Sequence, residues 1–523
     1  MRYSQILLLT KMENMKCKMK KVLKECWWVL LALFTICIYS CKDDDNTGGE
    51  AFDPTKPVVI SDFTPKDGGA YQKLLISGEN FGTDVSNVKV TIGGRDAVVI
   101  NVKNNYIYCF VPSGAFSGEI EVTVGEGENA VTTTASTAFE YQKKMVVGTL
   151  CGYRNNRDDQ GWRDGPFDGA DNVRACGFAS AGRMAFDPLN KDHLYICYDG
   201  HKGIQLIDLK NRTLSTPLNI NTVVTSRIRS IDFNKAGKYA TEAQYMIIAV
   251  DYDGEGNTSP SVYILKRNED GTFDDRQNPQ LLAAYKQCNG ATIHPINGEL
   301  YFNSYEYGQV FRLNLDDYFE TINAGKDWNA KVLQNSAFKQ LFTIADPSWE
   351  FQIFVHPTGK YAYFGVINNH YFMRSDYNEL TKEFVTPYTV VGGYKVSGYK
   401  DDVGTEARMN TPCQGVFVYN KEYAGQEDEY DFYFVDMLNF CVRRMTPDGI
   451  VSTYAGRGTT TAIADNNQWG TDDGDLREVA RFRDVTGLAY DKDKNIFYIQ
   501  DFVGRTIRTI SMEEEEESTE SNE

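Results

Sequence analysis

Short apolar runs broken by tight polar turns dominate the chain from residue 57 onward. In Val88-Lys89-Val90-Thr91-Ile92 and Ile120-Glu121-Val122-Thr123-Val124 apolar and polar residues alternate with the period of two that a half-buried strand needs. Val58-Val59-Ile60, Leu74-Leu75-Ile76 and Ile107-Tyr108-Cys109-Phe110-Val111 are further strands, and Gly, Asp, Asn and Pro mark the turns between them. Beyond residue 143 the runs continue as Leu194-Tyr195-Ile196-Cys197-Tyr198, Met246-Ile247-Ile248-Ala249-Val250, Tyr361-Ala362-Tyr363-Phe364 and Phe432-Tyr433-Phe434-Val435. The pattern predicts an all-β protein.

Strand spacing divides the chain. Residues 57–142 have the length and the Gly/Pro punctuation of one β-sandwich. Four of its blocks stand in the order of a known family: the Pro65-Lys66-Asp67-Gly68-Gly69 turn, Ile76-Ser77-Gly78-Glu79-Asn80-Phe81-Gly82, Ile92-Gly93-Gly94 and Val111-Pro112. In these blocks the stretch resembles the IPT/TIG immunoglobulin-like domains. The resemblance implies a spacer or docking module without chemistry of its own.

Residues 143–512 contain an internal repeat. One copy runs from Ile450-Val451-Ser452-Thr453-Tyr454-Ala455-Gly456 through Asp472-Asp473-Gly474, Gly487-Leu488-Ala489-Tyr490-Asp491 and Ile496-Phe497-Tyr498-Ile499-Gln500-Asp501 to Arg505-Thr506-Ile507-Arg508. The same order begins at Val147-Gly148-Thr149-Leu150-Cys151-Gly152 and again at Tyr388. Weaker copies centre on Ile231-Asp232-Phe233, Ile293-His294-Pro295 and Val355-His356-Pro357. This repeat resembles the NHL family of β-propellers. Six copies imply a six-bladed NHL-type β-propeller, in which blades stack around a channel because no single four-stranded sheet can bury both faces. The strand at residues 146–151 is expected to pack beside the last blade.

The first forty residues carry Arg2, Lys11, Lys16, Lys18, Lys20, Lys21 and Lys24 against Glu13 and Glu25, followed by the apolar run Trp27–Tyr39. This is the layout of a secretory signal, and the run is short for a membrane span. Ser40-Cys41 is a lipoprotein cleavage point, so residues 1–40 read as a signal peptide, Cys41 as a lipidated N-terminus and residues 41–56 as its linker. Lys42-Asp43-Asp44-Asp45 resembles the export signal of surface lipoproteins in glycan-foraging Gram-negative bacteria. That resemblance implies an outer-membrane protein, lipid-anchored and facing the cell exterior. Residues 513–523, with consecutive Glu residues, read as a disordered acidic tail.

The whole chain has 523 residues and a net charge of −18, and the signal segment is basic, so the remainder is more acidic still. That argues against nucleic acid as a partner. Beyond the signal, Cys109, Cys151, Cys176, Cys197, Cys288, Cys413 and Cys441 show no CxxC spacing, and Cys151 with Cys176 is the candidate pair. No HExxH, GxSxG or phosphate-loop motif occurs. Asp472-Asp473 reads as a loop element of the repeat.

If the propeller resemblance holds, one rim of the channel collects the ligand-binding candidates: Trp162, Arg183, His201, Arg229, Tyr252, Tyr305, Trp349, Gln352, His370, Tyr371, Gln414 and Trp469. Aromatic faces stack on sugar C–H surfaces while amides and guanidiniums take hydroxyls. The expected function is non-catalytic binding of a polysaccharide or oligosaccharide on one propeller face. The alternatives are a protein-interaction scaffold for an outer-membrane transporter complex, and a propeller lyase or hydrolase. No catalytic residue and no cofactor is assigned; the metal candidates are a calcium held by channel carbonyls and, without HxH or HxxxH spacing to support it, an ion on His201 and His370.

Overall fold

The computed structural model describes residues 50–513 except 113, 153–161, 169–175, 179, 199–202, 220–226, 240–242, 253–257, 305–307, 345–349 and 458–467. Cys41, His201, Tyr305, Trp349 and the acidic tail from 514 therefore lie outside the described residues. The chain is all-β and separates into two compact units.

In the first unit one sheet is ordered Val59–Thr64, Lys73–Glu79, Tyr106–Phe110, Val98–Lys103. The second is ordered Arg95–Asp96, Val88–Ile92, Ile120–Val124, Val131–Thr134. The alternating residues Leu74, Ile76, Val90, Ile92, Ile107, Cys109, Ile120 and Val122 point inward and are fully buried. The Gly78–Gly82 block has a steric reason. A Cβ on Gly78 would stand 2.0 Å from the Val59 carbonyl oxygen. Asn80 adopts a left-handed φ of 64°. Its amide donates to the Asp53 and Lys56 carbonyls at 2.9 Å and accepts from the Asp53 N–H at 2.9 Å. The block thus ties down the segment that precedes the first strand.

The second unit contains six sheets of the propeller type. Their innermost strands are Gly182–Phe186, Arg227–Phe233, Ala291–Ile293, Phe351–Val355, Pro412–Tyr419 and Val485–Asp491, which we call the inner strands of blades one to six. Each inner strand touches the next, and the sixth touches the first, so the ring is closed. The second strands, such as His193–Tyr198, Tyr245–Asp251 and Tyr361–Val366, are buried along nearly their whole length because a neighbouring blade covers each face. Blade six takes its fourth strand from the beginning of the unit: Met145–Cys151 pairs antiparallel with Thr506–Met512, with Thr149 opposite Arg508. The strand expected at 146–151 is in the place the repeat required.

The three clear copies share two devices that explain their conservation within the chain. First, an inter-blade aspartate accepts from a fourth-strand threonine hydroxyl and from a third-strand side chain. Asp164 takes Thr216 at 2.7 Å and Gln205 at 3.0 Å. Asp401 takes Thr453 at 2.9 Å and Arg443 at 2.8 Å. Asp473 takes Thr149 at 3.1 Å and Arg508 at 2.5 Å. Asp473 is therefore a structural carboxylate of the repeat. Second, Gly152, Gly392 and Gly456 close the fourth strands at φ of 77°, 86° and 95°. A Cβ there would stand 2.4–2.7 Å from the carbonyl oxygens of Arg505, His370 and Phe440. Those three carbonyls belong to residues that are themselves left-handed.

Most buried arginines of the ring are paired. Arg267 holds Asp187 through two bonds of 2.7 Å, Arg443 holds Asp436 at 2.9 Å, and Arg229 meets Glu350. Desolvated guanidiniums need such partners. The described cysteines are buried and reduced, and the Cys151 thiol hydrogen-bonds Cys176.

Candidate functional site

The inner strands border two spaces along the channel, and Arg183 lines both. The one at the start of the inner strands has a volume of about 350 Å³ and is bordered by Arg183, Arg229, Glu350, Asn368, Thr411 and Thr486. Cys197 and Cys413 also border it. Burial pushes their thiols up to about 12 and about 11, so both are neutral at physiological pH. The larger space, about 610 Å³, runs from mid-channel to the ends of the inner strands. It is lined by Arg183, Gln352, Gln414, Asp232, Lys235 and Lys492, with the rings of Phe354, Phe417, Tyr419, Tyr430 and Tyr490. Gly290 and Gly415 stand on its wall, and a Cβ on Gly415 would stand 2.2 Å from the Phe432 ring.

Most polar groups on this wall are committed to holding the blades together. The Gln414 amide accepts from the N–H of Met184 at 2.9 Å and of Leu488 at 3.1 Å, and donates to the Met184 carbonyl at 2.7 Å. One side chain thus joins blades one, five and six. Asp232 accepts from the Thr292 hydroxyl and the Ile293 N–H, both at 2.9 Å, and pairs with Lys235 at 2.9 Å. Gln352 differs: it is 5 % exposed, faces the larger space and has no hydrogen-bond partner among the described residues. Its amide is reachable from the channel, where a ligand or water can complete it.

The remaining candidates divide by their surroundings. Trp162 donates to Thr216 at 2.7 Å and packs edge-on against Tyr198 with ring centres 5.2 Å apart. Its ring also covers Gly203, where a Cβ would meet it at 2.9 Å. Tyr371 is buried in the core between neighbouring blades. His370 accepts from the Thr411 N–H at 3.0 Å, and burial lowers its imidazole pKa. These three side chains have structural partners. Tyr252 is half-buried beside Tyr263. Trp469 is 42 % exposed, with the Arg483 guanidinium 4.3 Å from its ring centre. Of the other histidines, His294 bonds the Gly359 carbonyl at 3.0 Å, and His356 bonds the Thr358 hydroxyl at 2.7 Å. Each organises a strand-end turn. Among the described residues no three His, Cys, Asp or Glu side chains converge as a metal site would require.

Arg183 and Gln352, both expected at the channel mouth, thus line one common space. Sequence reasoning missed Lys235, Tyr419, Tyr430, Tyr490 and Lys492 at its far end. Their signal is positional: Tyr490 and Lys492 flank Asp491, and Tyr419 precedes Asn420, at the turns that end the inner strands.

Comparison with known proteins places the chain among relatives of known structure. Residues 57–141 match the IPT/TIG domain family. A search of the curated proteins returns no match. Among solved structures, one from Bacteroides thetaiotaomicron VPI-5482, provisionally described as a phosphatase, is 78 % identical. That match covers 90 % of this chain and 99 % of the other, with a TM-score of 0.83. An auxiliary nutrient binding protein of the same organism is 41 % identical over 89 % of this chain and 100 % of its own, with a TM-score of 0.75. A third, an auxiliary nutrient binding protein of Bacteroides ovatus ATCC 8483, is 31 % identical over 89 % and 100 %, with a TM-score of 0.60.

Proposed function

The chain belongs to the family of Bacteroides proteins that these three structures represent, and from that membership we propose that it binds a nutrient without transforming it. Two relatives are described as auxiliary nutrient binding proteins. The observation that carries the reading is Gln352, an amide committed to no described residue and facing a space of about 610 Å³. The ligand proposed is an oligosaccharide, or one end of a polysaccharide. Tyr419, Tyr430 and Tyr490 offer apolar ring surface for sugar C–H groups, and Gln352 offers a donor and an acceptor to hydroxyls. The channel is favoured over the rim tryptophans because Trp162 is already bonded to Thr216.

Lipidation at Cys41 would tether the protein to the outer membrane, facing the exterior, with residues 41–56 as linker and the IPT/TIG domain as spacer. A ligand held there is placed for delivery to an outer-membrane transporter complex. Calorimetry of the protein from residue 42 onward, against a panel of polysaccharides and their oligosaccharides, tests the reading. At least one glycan should bind, and Gln352→Ala should weaken it about tenfold, the worth of one hydrogen bond. A panel with no binder defeats the proposal, and a binder indifferent to Gln352→Ala moves the site out of the channel.

A second reading has a specific source: the relative at 78 % identity is described as a phosphatase. Release of nitrophenol from p-nitrophenyl phosphate by the purified protein, with and without added divalent cations, separates the two. Turnover would replace binding with catalysis as the primary activity.

A further inference from the structure

Arg183 lines both channel spaces and differs from the buried arginines of the ring. Arg229, Arg267, Arg443 and Arg508 are all buried, and each has a carboxylate within ion-pair distance. Arg183 has none among the described residues. Its Nη1 donates to two carbonyls, Gly182 at 3.0 Å and Thr486 at 3.2 Å, and its buried Nε has no partner. Those carbonyls orient the guanidinium without neutralising it. The nearby thiols of Cys197 and Cys413 are neutral and supply no counter-charge. A partly desolvated cation in this position favours an anion over water.

The position of Arg183 is matched across the channel. Arg183 lies four residues before Asp187, and Gln352 lies four residues before His356. The N–H groups of Asp187 and His356 make the same bond to the start of the second strand, each at 2.9 Å. Arg183 and Gln352 therefore stand at one height in blades one and four, which are opposite in a ring of six. Both line the same space, and the remaining ionic groups on its wall are Lys235, Lys492 and Asp232. That is three cations to one carboxylate, and the carboxylate is already paired with Lys235. The channel is thus locally cationic inside a chain of net charge −18.

We infer that the channel selects a ligand bearing an oxyanion, which sits between the Arg183 guanidinium and the Gln352 amide. This inference rests on the channel being the nutrient site. The oxyanion is the carboxylate of a uronic acid, a sulfate ester or a phosphate ester of a sugar. Arg183 provides charge and forked donors, Gln352 provides a neutral donor opposite, and Lys492 adds positive charge at the far end.

Calorimetry of the wild-type protein with a hexuronate, a hexose sulfate, a hexose phosphate and the parent neutral hexose, each also as a short oligosaccharide where available, tests it. At least one anionic sugar should bind ten times or more tighter than its neutral parent. The difference should shrink in 0.5 M NaCl, and the preferred arm identifies the oxyanion. Arg183→Gln, which keeps donors but removes the charge, should abolish the preference. Gln352→Glu, which places a second carboxylate opposite, should do the same if Arg183→Gln fails to fold. Neutral and anionic sugars binding wild type equally would overturn the inference and leave nutrient binding standing. Binding of neither, in a panel that also includes polysaccharides, would overturn both.

Discussion

The buried pair of Asp436 and Arg443 allows a quantitative prediction about stability. Both side chains are fully buried in blade five. The Asp436 carboxylate accepts from the Asn410 N–H at 2.7 Å, the Asn439 amide at 2.8 Å and Arg443 at 2.9 Å. Burial raises the carboxyl from the ordinary 3.8 to about 6, outweighing the opposing pull of Arg443. A shift of about two units corresponds to about 3 kcal/mol. The sign follows from proton counting. Between pH 3.8 and 6 the native protein retains a proton that the unfolded chain has lost, so stability falls as pH rises through that window and levels off above about 7. Asp436→Asn removes this proton and keeps most of the shape. The difference in unfolding free energy, wild type minus variant, should therefore drop by about 2 kcal/mol between pH 4 and pH 7.5. Urea unfolding followed by tryptophan fluorescence measures it. With residues 1–41 removed, the tryptophans left are Trp162, Trp328, Trp349 and Trp469, all beyond the IPT/TIG domain. A flat difference, or one that grows with pH, would refute the account of burial as the dominant influence.

Two further outcomes follow from packing and thiol chemistry. Gly425→Ala and Gly456→Ala both force alanine to a left-handed backbone, with φ of 83° and 95°, at about 1–2 kcal/mol. Gly425 has open space around it, whereas a Cβ on Gly456 would stand 2.7 Å from the Phe440 carbonyl oxygen, so Gly456→Ala should cost a further ~1–3 kcal/mol; equal losses in chemical denaturation would count against the close-approach argument. Cys176 is as buried as the other cysteines, so iodoacetamide at pH 8 should modify all of them slowly. Cys176 should react ahead of the rest, because a hydrogen bond from Cys151, backbone N–H groups and Arg163 lower its pKa against the opposing effect of burial, whereas burial dominates at Cys109, Cys197 and Cys288 and raises them to about 12. Peptide mass spectrometry reads the order, and any other cysteine reacting first would contradict it.

The architecture was legible because its signals are local. An apolar run such as Leu194–Tyr198 announces a strand, and the Asp–Thr and left-handed Gly devices recur with the blade period. The IPT/TIG blocks are legible for the same reason: Gly78 and Asn80 meet their partners within one small unit. The site was legible only by position. Gln352 and Gln414 are the same residue type on equivalent strands, yet Gln414 is spent on Met184 and Leu488 while Gln352 is uncommitted. The difference lies in which backbone groups face each one across the ring, and those groups come from blades far away in the chain. Trp162 illustrates the same limit. An exposed platform and a packed wedge look identical in sequence, and the Thr216 hydroxyl and Tyr198 ring decide between them.

The pairing of Met145–Cys151 with Thr506–Met512 has a consequence for biosynthesis. The ring cannot close until its last strand has been made, so the first strand must wait, with an unpaired edge, for the ribosome to finish. Pairings between such distant segments form slowly and leave edges open to aggregation meanwhile. The IPT/TIG domain, whose sheets pair only within residues 59–141, carries no such delay. A premature stop before Thr506 would thus release a folded leading domain fused to a ring that can never shut.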